Sequence, residues 1–163
     1  MASSYSFDVV SEIDMQEVDN AINQAIKEIK QRYDFKGTKT EITLVKDEIK
    51  IISDSEYKLN SVIDVLKSKF VKRGVPTKAI DIGKVDNGSL GTVKVTCKLI
   101  KGIAIDKAKS MVADIKSSNT KVQAQIMDNQ LRVSGKDKDD LQLTMQLLKS
   151  KDYGIAIQFS NYR

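Results

Sequence analysis

The sequence predicts an α+β protein made of two tandem ferredoxin-like domains, each a βαββαβ unit with a four-stranded antiparallel sheet and helices on one face. Three observations carry this. First, the chain matches itself: at an offset of 82 residues Ile49-Lys50-Ile51 falls on Leu131-Arg132-Val133, and Leu59, Ile63 and Leu66 fall on Leu141, Met145 and Leu148. The tetrapeptide Leu-Lys-Ser-Lys at 66–69 returns at 148–151. Upstream the offset becomes 86, and Val18, Ile22, Ala25, Ile26 and Ile29 meet Ala104, Ala108, Met111, Val112 and Ile115. The change of four falls where a helix-to-strand loop belongs. Such a period is too long for a solenoid repeat and fits two copies of one small domain. Second, apolar spacing alternates between the periods of strand and helix in the same order in both copies. Third, 163 residues suffice for two small domains.

In the first copy, residues 6–13 form a strand with Phe7, Val9 and Ile13 as core candidates. Asp14, three residues before Glu17, caps a helix over 15–33 whose apolar stripe is Val18, Ile22, Ala25, Ile26 and Ile29. Gly37 closes that region. Glu41–Val45 and Glu48–Ile52 make a hairpin around Lys46-Asp47. Asp54 or Ser55 caps a second helix carrying Leu59, Val62, Ile63, Leu66 and Phe70, which Gly74 and Pro76 end. A short strand over Lys78–Ile82 completes the copy. Val85–Leu90 is the best loop in the middle, so the domains are expected at 1–88 and 89–163. The second copy repeats the order: a strand at 92–100, a helix at 103–117, a hairpin of 121–127 and 130–134 around Asp128-Asn129, a helix capped by Asp137 and reaching Lys149, and a closing strand at 155–159.

Composition narrows the function. At 40% hydrophobic and 30% charged the chain reads as soluble. Met1–Ser4 carries no apolar run of a leader, and no window has the roughly 18–20 apolar residues of a membrane span, so a cytoplasmic location is expected. A lone cysteine, Cys97, excludes an intrachain disulfide and fits a reducing compartment. With no histidine and one cysteine, ordinary zinc sites and Ser-His-Asp or Cys-His catalysis are excluded, and Cys97 alternates with Val93, Val95 and Leu99 as a buried hydrophobe does. No metal, cofactor or enzymatic activity is expected. Glycines at 83, 88 and 91 lack the spacing of a phosphate loop. The net charge of +5 is uneven: residues through Gly88 hold 14 basic and 15 acidic side chains, and those from Ser89 hold 13 and 7. That contrast suggests an anionic partner for the second copy.

A sheet covered on one side exposes alternate residues of each strand. In the second copy Val122, Ala124, Ile126, Leu131 and Val133 face the core, which turns Lys121, Gln123, Gln125, Gln130, Arg132 and Ser134 outward, with Gln158 and Ser160 on the last strand. Amides donate and accept as base edges require, and cations suit phosphate. The corresponding face of the first copy shows Glu41, Thr43, Lys50, Ile52 and Asp81, mixed in sign. No outward aromatic occupies the central strands, so base stacking in the manner of RNA-recognition domains is not expected there. The densest chemical cluster is Arg32-Tyr33-Asp34-Phe35-Lys36-Gly37, where cations and rings beside a helix end suit a nucleotide. The same residues also suit a purely structural turn, with Phe35 in the core and Arg32 paired to Asp34. A second cluster, Gln158-Phe159-Ser160-Asn161-Tyr162-Arg163, ends the chain. The candidate nucleotide-binding residues are therefore Arg32, Tyr33, Phe35, Lys36, Lys121, Gln123, Gln125, Arg132, Gln158 and Arg163.

These stretches also carry a resemblance. Ser6–Glu12, Arg-Tyr-Asp-Phe-Lys-Gly at 32–37, residues 121–126, residues 131–142 and residues 158–163 resemble the hallmark segments of the bacterial YajQ family over nearly the whole chain. A final aromatic that is often Phe in the family is Tyr162 here. The resemblance implies that the domains exchange their N-terminal strands, residues 6–13 completing the second sheet and 92–100 the first. Lys94, Thr96 and Lys98 would then join the first open face, and Asp8 and Glu12 the second. It also implies binding of a nucleotide or nucleic acid, including RNA, with some members resembling cyclic di-GMP receptors that act with transcription factors. The leading expectation is a non-enzymatic binder of an anionic nucleotide or RNA; the alternative is a protein-interaction adaptor acting on a transcription regulator. Salt separates the two, because phosphate binding weakens steeply as salt rises.

Overall fold

A computed structural model describes residues 4–163, and its strands sort into two antiparallel sheets. In chain order the elements are β1 (Tyr5–Val10), α1 (Met15–Gln31), β2 (Glu41–Val45), β3 (Glu48–Ser53), α2 (Glu56–Lys72), β4 (Ile80–Ile82), β5 (Asp86–Asn87), β6 (Val93–Leu99), α3 (Ile105–Ser117), β7 (Val122–Met127), β8 (Gln130–Gly135), α4 (Lys138–Ser150) and β9 (Gln158–Ser160). One sheet runs β7-β8-β1-β9 and the other β2-β3-β6-β4, with β5 also pairing to β6. Each is the ferredoxin-like arrangement that the duplication predicts. Met1–Ser3, part of the segment that shows no leader-like run, lie outside the described residues.

The interior strands are exchanged. β1 precedes α1 in the chain yet lies between β8 and β9, and β6 holds the matching place between β3 and β4. The side chains of β1 fit that position, since Phe7, Val9, Asp8 and Val10 on its two faces are all buried. The chain accordingly divides into a first unit, Ile13–Ile100, and a second unit of the residues up to Glu12 together with Lys101–Arg163. A boundary at 88/89 falls inside the first unit, where Asp86 pairs with Lys94 and Asn87 with Val93. The stretch read as the linking loop is thus partly a strand.

The first unit packs α1 and α2 on its sheet around Val18, Ile22, Ile49, Ile51, Leu59, Leu66 and Phe70. Cys97 belongs to this core at 1% exposure, and burial pushes its thiol above the ordinary value. In the second unit the helix-facing residues Phe7, Val9, Met111, Leu131, Val133, Leu141 and Leu148 are each fully buried. Local chemistry sets the element ends. The Asp14 carboxylate accepts from the amides of Gln16 and Glu17 at 3.0 and 3.4 Å and starts α1. Ser55, not Asp54, caps α2 by accepting from Lys58 N at 3.2 Å, while Asp54 instead accepts from Lys39 N at 3.0 Å. α1 stops at Gln31, two residues before its expected end, because Arg32 turns to extended backbone and Tyr33–Phe35 form a single 3₁₀ turn. The last strand is shorter than expected and displaced, starting at Gln158 rather than Ile155. No helix among the described residues is long and apolar enough to cross a membrane.

Candidate functional site

The pairing register fixes what the open face of the second unit displays. Gln125 lies opposite Arg132, Arg132 opposite Asp8, and Asp8 opposite Ser160, so one row crosses all four strands. Beside it Gln123 pairs with Ser134 and Ser134 with Ser6. Paired residues share a face, and the neighbouring rows carry the apolar side chains inward. The outward assignment of Gln123, Gln125 and Arg132 follows from the sequence; the strand that completes the row comes from the other end of the chain.

Asp8 organises this face. Its side chain is 2% exposed, yet it is fully paired: Arg132 donates from Nε to Oδ1 at 2.9 Å and from Nη2 to Oδ2 at 3.4 Å, and Asn161 Nδ2 donates to Oδ2 at 2.8 Å. The Arg132 hydrogen bond holds the carboxyl below its usual range, overcoming the opposite pull of burial, and Asn161 and the charge of Arg163 help. Asn161 takes left-handed backbone at φ 52°, a conformation asparagine tolerates better than most residues, and its side chain reaches Asp8. Beyond it Arg163 and Ser6 exchange both backbone hydrogen bonds, at 2.9 and 3.1 Å. The Nε–Nη2 edge of the guanidinium is therefore occupied. Nη1 and the second Nη2 hydrogen have no protein acceptor among the described residues, and the Arg132 side chain is 46% exposed. A planar fork is held in place with its other edge toward solvent.

Lys121 and Gln123 line a shallow depression of about 830 Å³ at the end of this face, with Ser134 and Lys136, although Asp137 and Asp140 bring acid to its rim. Gln158 is partly committed, since its Oε1 already accepts from Glu12 N at 2.9 Å. Thus Lys121, Gln123, Gln125, Arg132, Gln158 and Arg163 are brought together in the second unit. Arg32, Tyr33, Phe35 and Lys36 lie in the first.

In that second group the residues divide. Phe35 is 5% exposed and plugs the core, so its ring is not open for stacking. Arg32 grips Asp34 through Nε at 3.0 Å and Nη2 at 2.7 Å, each group holding the other in its charged form, and its guanidinium lies 5.3 Å from the Phe35 ring centroid. These two are the structural alternative of the motif. Tyr33, by contrast, is 85% exposed with the Lys36 ammonium 5.6 Å from its ring centroid.

Charge does not single out either unit. The second holds 11 basic and 9 acidic residues and the first 16 and 13, giving +2 and +3. The contrast between halves of the sequence disappears because Asp8 and Glu12 move to the second unit while Lys94 and Lys98 move to the first.

Four residues outside the sequence-derived set matter. Asp8 holds Arg132, Asn161 holds Asp8, and exposed Tyr57 precedes Lys58, which reaches the Arg32–Lys36 turn. Lys58 places its ammonium 5.3 Å from the Phe35 centroid and donates to the Asp34 carbonyl. Tyr57 carried a signal: it sits off the apolar stripe of α2, and an aromatic on the polar face of an amphipathic helix lacks a packing reason. Asp8 carried one only if the strand exchange is known.

The sequence profile of the family described as "Nucleotide-binding protein YajQ-like" matches residues 5–163. A protein of Trichlorobacter lovleyi is 57% identical over 158 residues, covering 97% of this chain and 98% of its own. One from Carboxydothermus hydrogenoformans is 54% identical over 165 residues and covers both chains fully. One from Geotalea uraniireducens is 54% identical over 158 residues, 97% of this chain and 98% of its own. Each is named a nucleotide-binding protein.

Proposed function

The chain belongs to the family of YajQ-like nucleotide-binding proteins, and from that membership we propose that it binds a nucleotide on the open face of the second unit, around Arg132. The observation that carries this reading is the guanidinium fork clamped on one edge by buried Asp8 and open on the other. Two parallel N–H donors match a phosphate or the O6/N7 edge of guanine, and fixing them beforehand lowers the cost of binding. Gln125 and Gln123 on the adjacent strand offer amides to the remaining base edges. Cyclic di-GMP and single-stranded RNA both present phosphodiester and base edges together, which favours them over a lone base.

On this reading the ligand is held and not transformed. Asp8, the carboxylate nearest the fork, is an acceptor for three hydrogen bonds and its pKa is lowered, so near neutrality it neither delivers nor takes a proton.

The test is calorimetric titration with cyclic di-GMP, GTP, ATP and a short single-stranded RNA at two salt concentrations, on the native protein and Arg132→Ala. Guanine-bearing ligands should bind, more weakly at high salt, and lose tenfold or more in the variant. Equal affinity of native protein and variant, or no binding at low salt, would remove this site from consideration.

A further inference from the structure

The outer side of α4 carries a pattern that its own unit does not use. Leu141, Thr144 and Leu148 are fully buried and form the inward stripe of the helix. Beside that stripe Asp139, Leu143, Leu147 and Lys151 follow at intervals of four and make a single ridge. Leu143 is 53% exposed, Leu147 is half-buried, and Asp139 and Lys151 at the two ends are exposed. The end charges are uncommitted. Lys138 and Lys149, on the same helix, lie over the rings of Tyr5 and Phe159, 5.0 and 5.6 Å from the centroids. Asp139 and Lys151 have no ion-pair or ring partner among the described residues. The fold does not demand such a ridge, as the repeat shows. At the offset of 82 the matching positions of α2 are Tyr57, Ser61, Val65 and Lys69. There a serine replaces the exposed leucine, Val65 is buried, and Lys69 pairs with Glu28 at 3.0 Å.

We propose that this ridge is a self-association surface on which α4 of a second copy of the chain packs antiparallel. The ridge is complementary to itself. About a two-fold axis near Met145, Leu143 meets Leu147 of the second copy and Asp139 meets Lys151 of the second copy, each contact occurring twice. A parallel pairing would set Asp139 against Asp139 and Lys151 against Lys151, which like charge opposes. The 13 residues of α4 make a rod about 20 Å long, so the apolar centre is small and the dimer should be weak and reversible. The pairing uses the helix-covered side of the second unit's sheet, opposite the face of Arg132. Association and ligand binding therefore do not compete.

The test is sedimentation equilibrium of the full chain from about 10 μM to about 1 mM, at low and high salt. Native protein should dimerise reversibly. Leu143→Gln, an exposed change that leaves the fold intact, should weaken the dimer about tenfold or more. Asp139→Lys and Lys151→Glu should each weaken it several-fold at low salt, because either change sets like charges together twice, and high salt should narrow that effect. Mixed in equal amounts, the two charge variants should associate again, since each supplies the charge the other lacks. Only an antiparallel contact between these helix ends predicts that rescue. Circular dichroism and thermal midpoints establish that each variant is folded. A native chain that stays monomeric at about 1 mM would overturn the proposal and leave the ridge to a different protein. A dimer that Leu143→Gln does not weaken, or charge variants that do not associate when mixed, would overturn it by placing the contact elsewhere.

Discussion

Asp8 and Arg132 lie opposite each other on adjacent antiparallel strands, joined by two hydrogen bonds although 124 positions separate them in the chain. Only the exchange of β1 into the second unit makes this pair. A buried carboxylate in the middle of a sheet is costly unless its acceptors are filled, and here Arg132 and Asn161 fill them. The same arrangement that satisfies Asp8 sets the direction of the guanidinium. On the proposed reading, packing and recognition therefore rest on one contact.

If Asp8 acts on the ligand through Arg132, the two substitutions should not add. Asp8→Ala and Arg132→Ala are each expected to weaken binding of cyclic di-GMP or single-stranded RNA by tenfold or more, and the double variant by no more than the worse single. A double-mutant cycle measured by calorimetry gives the coupling. Losses that simply multiply would show that Asp8 does not work through the guanidinium.

Acid should act on the same contact. The Asp8 carboxyl ionises near 3.9 when unfolded, roughly, and below that in the native state because of Arg132. A lowered folded value means the unfolded chain takes up the proton first, so the stabilisation is complete above the unfolded value and drains away as pH falls through the folded one. Asp34 and Glu17 are lowered in the same direction by Arg32 and Arg73, so native protein alone does not isolate Asp8. The difference between native protein and Asp8→Asn does. Urea midpoints of the two should converge as pH drops from neutrality toward pH 3, roughly, and a difference independent of pH would refute the assignment.

Much of this was legible in the sequence, and the reasons for the rest are physical. Helical and strand periods report which residues face a core, so the repeat, the four helices and the outward direction of Gln123, Gln125 and Arg132 could be read. Periodicity is silent on which strand pairs with which. The exchange of β1 and β6 came only from resemblance to a family, and charge counted by sequence halves pointed to an asymmetry that the exchanged units do not have. Arg-Tyr-Asp-Phe-Lys-Gly shows the other limit. Composition marks such a cluster as chemically rich, but only three-dimensional placement separates Phe35 in the core from Tyr33 in solvent.

That separation predicts opposite mutational outcomes two residues apart. Phe35→Ala should cost about 3–5 kcal/mol, because it empties a core position that neighbouring strands and helices cannot close. Tyr33→Ala should change stability by no more than about 0.5 kcal/mol, as exposed substitutions usually do. Chemical denaturation of the two variants decides it, and comparable losses would mean that Tyr33 packs against the turn.

The exchanged strands make a last prediction about fragments. Residues 13–100 contain every element of the first unit, including β6 as its interior strand, so this segment should unfold in one cooperative transition. Residues 13–163 lack β1. Without it β8 and β9 lose their shared neighbour, and the buried Phe7 and Val9 side chains are missing from the second unit's core. Unpaired strand edges and an emptied core should leave that unit open to proteolysis while the first resists. Hydrogen exchange across the two fragments would show it as protection in α1 and α2 with little in α3 and α4. Native-like protection of α3 and α4 without β1 would mean that the second unit does not need the exchanged strand, and the placement of Asp8 against Arg132 would then be dispensable to its fold.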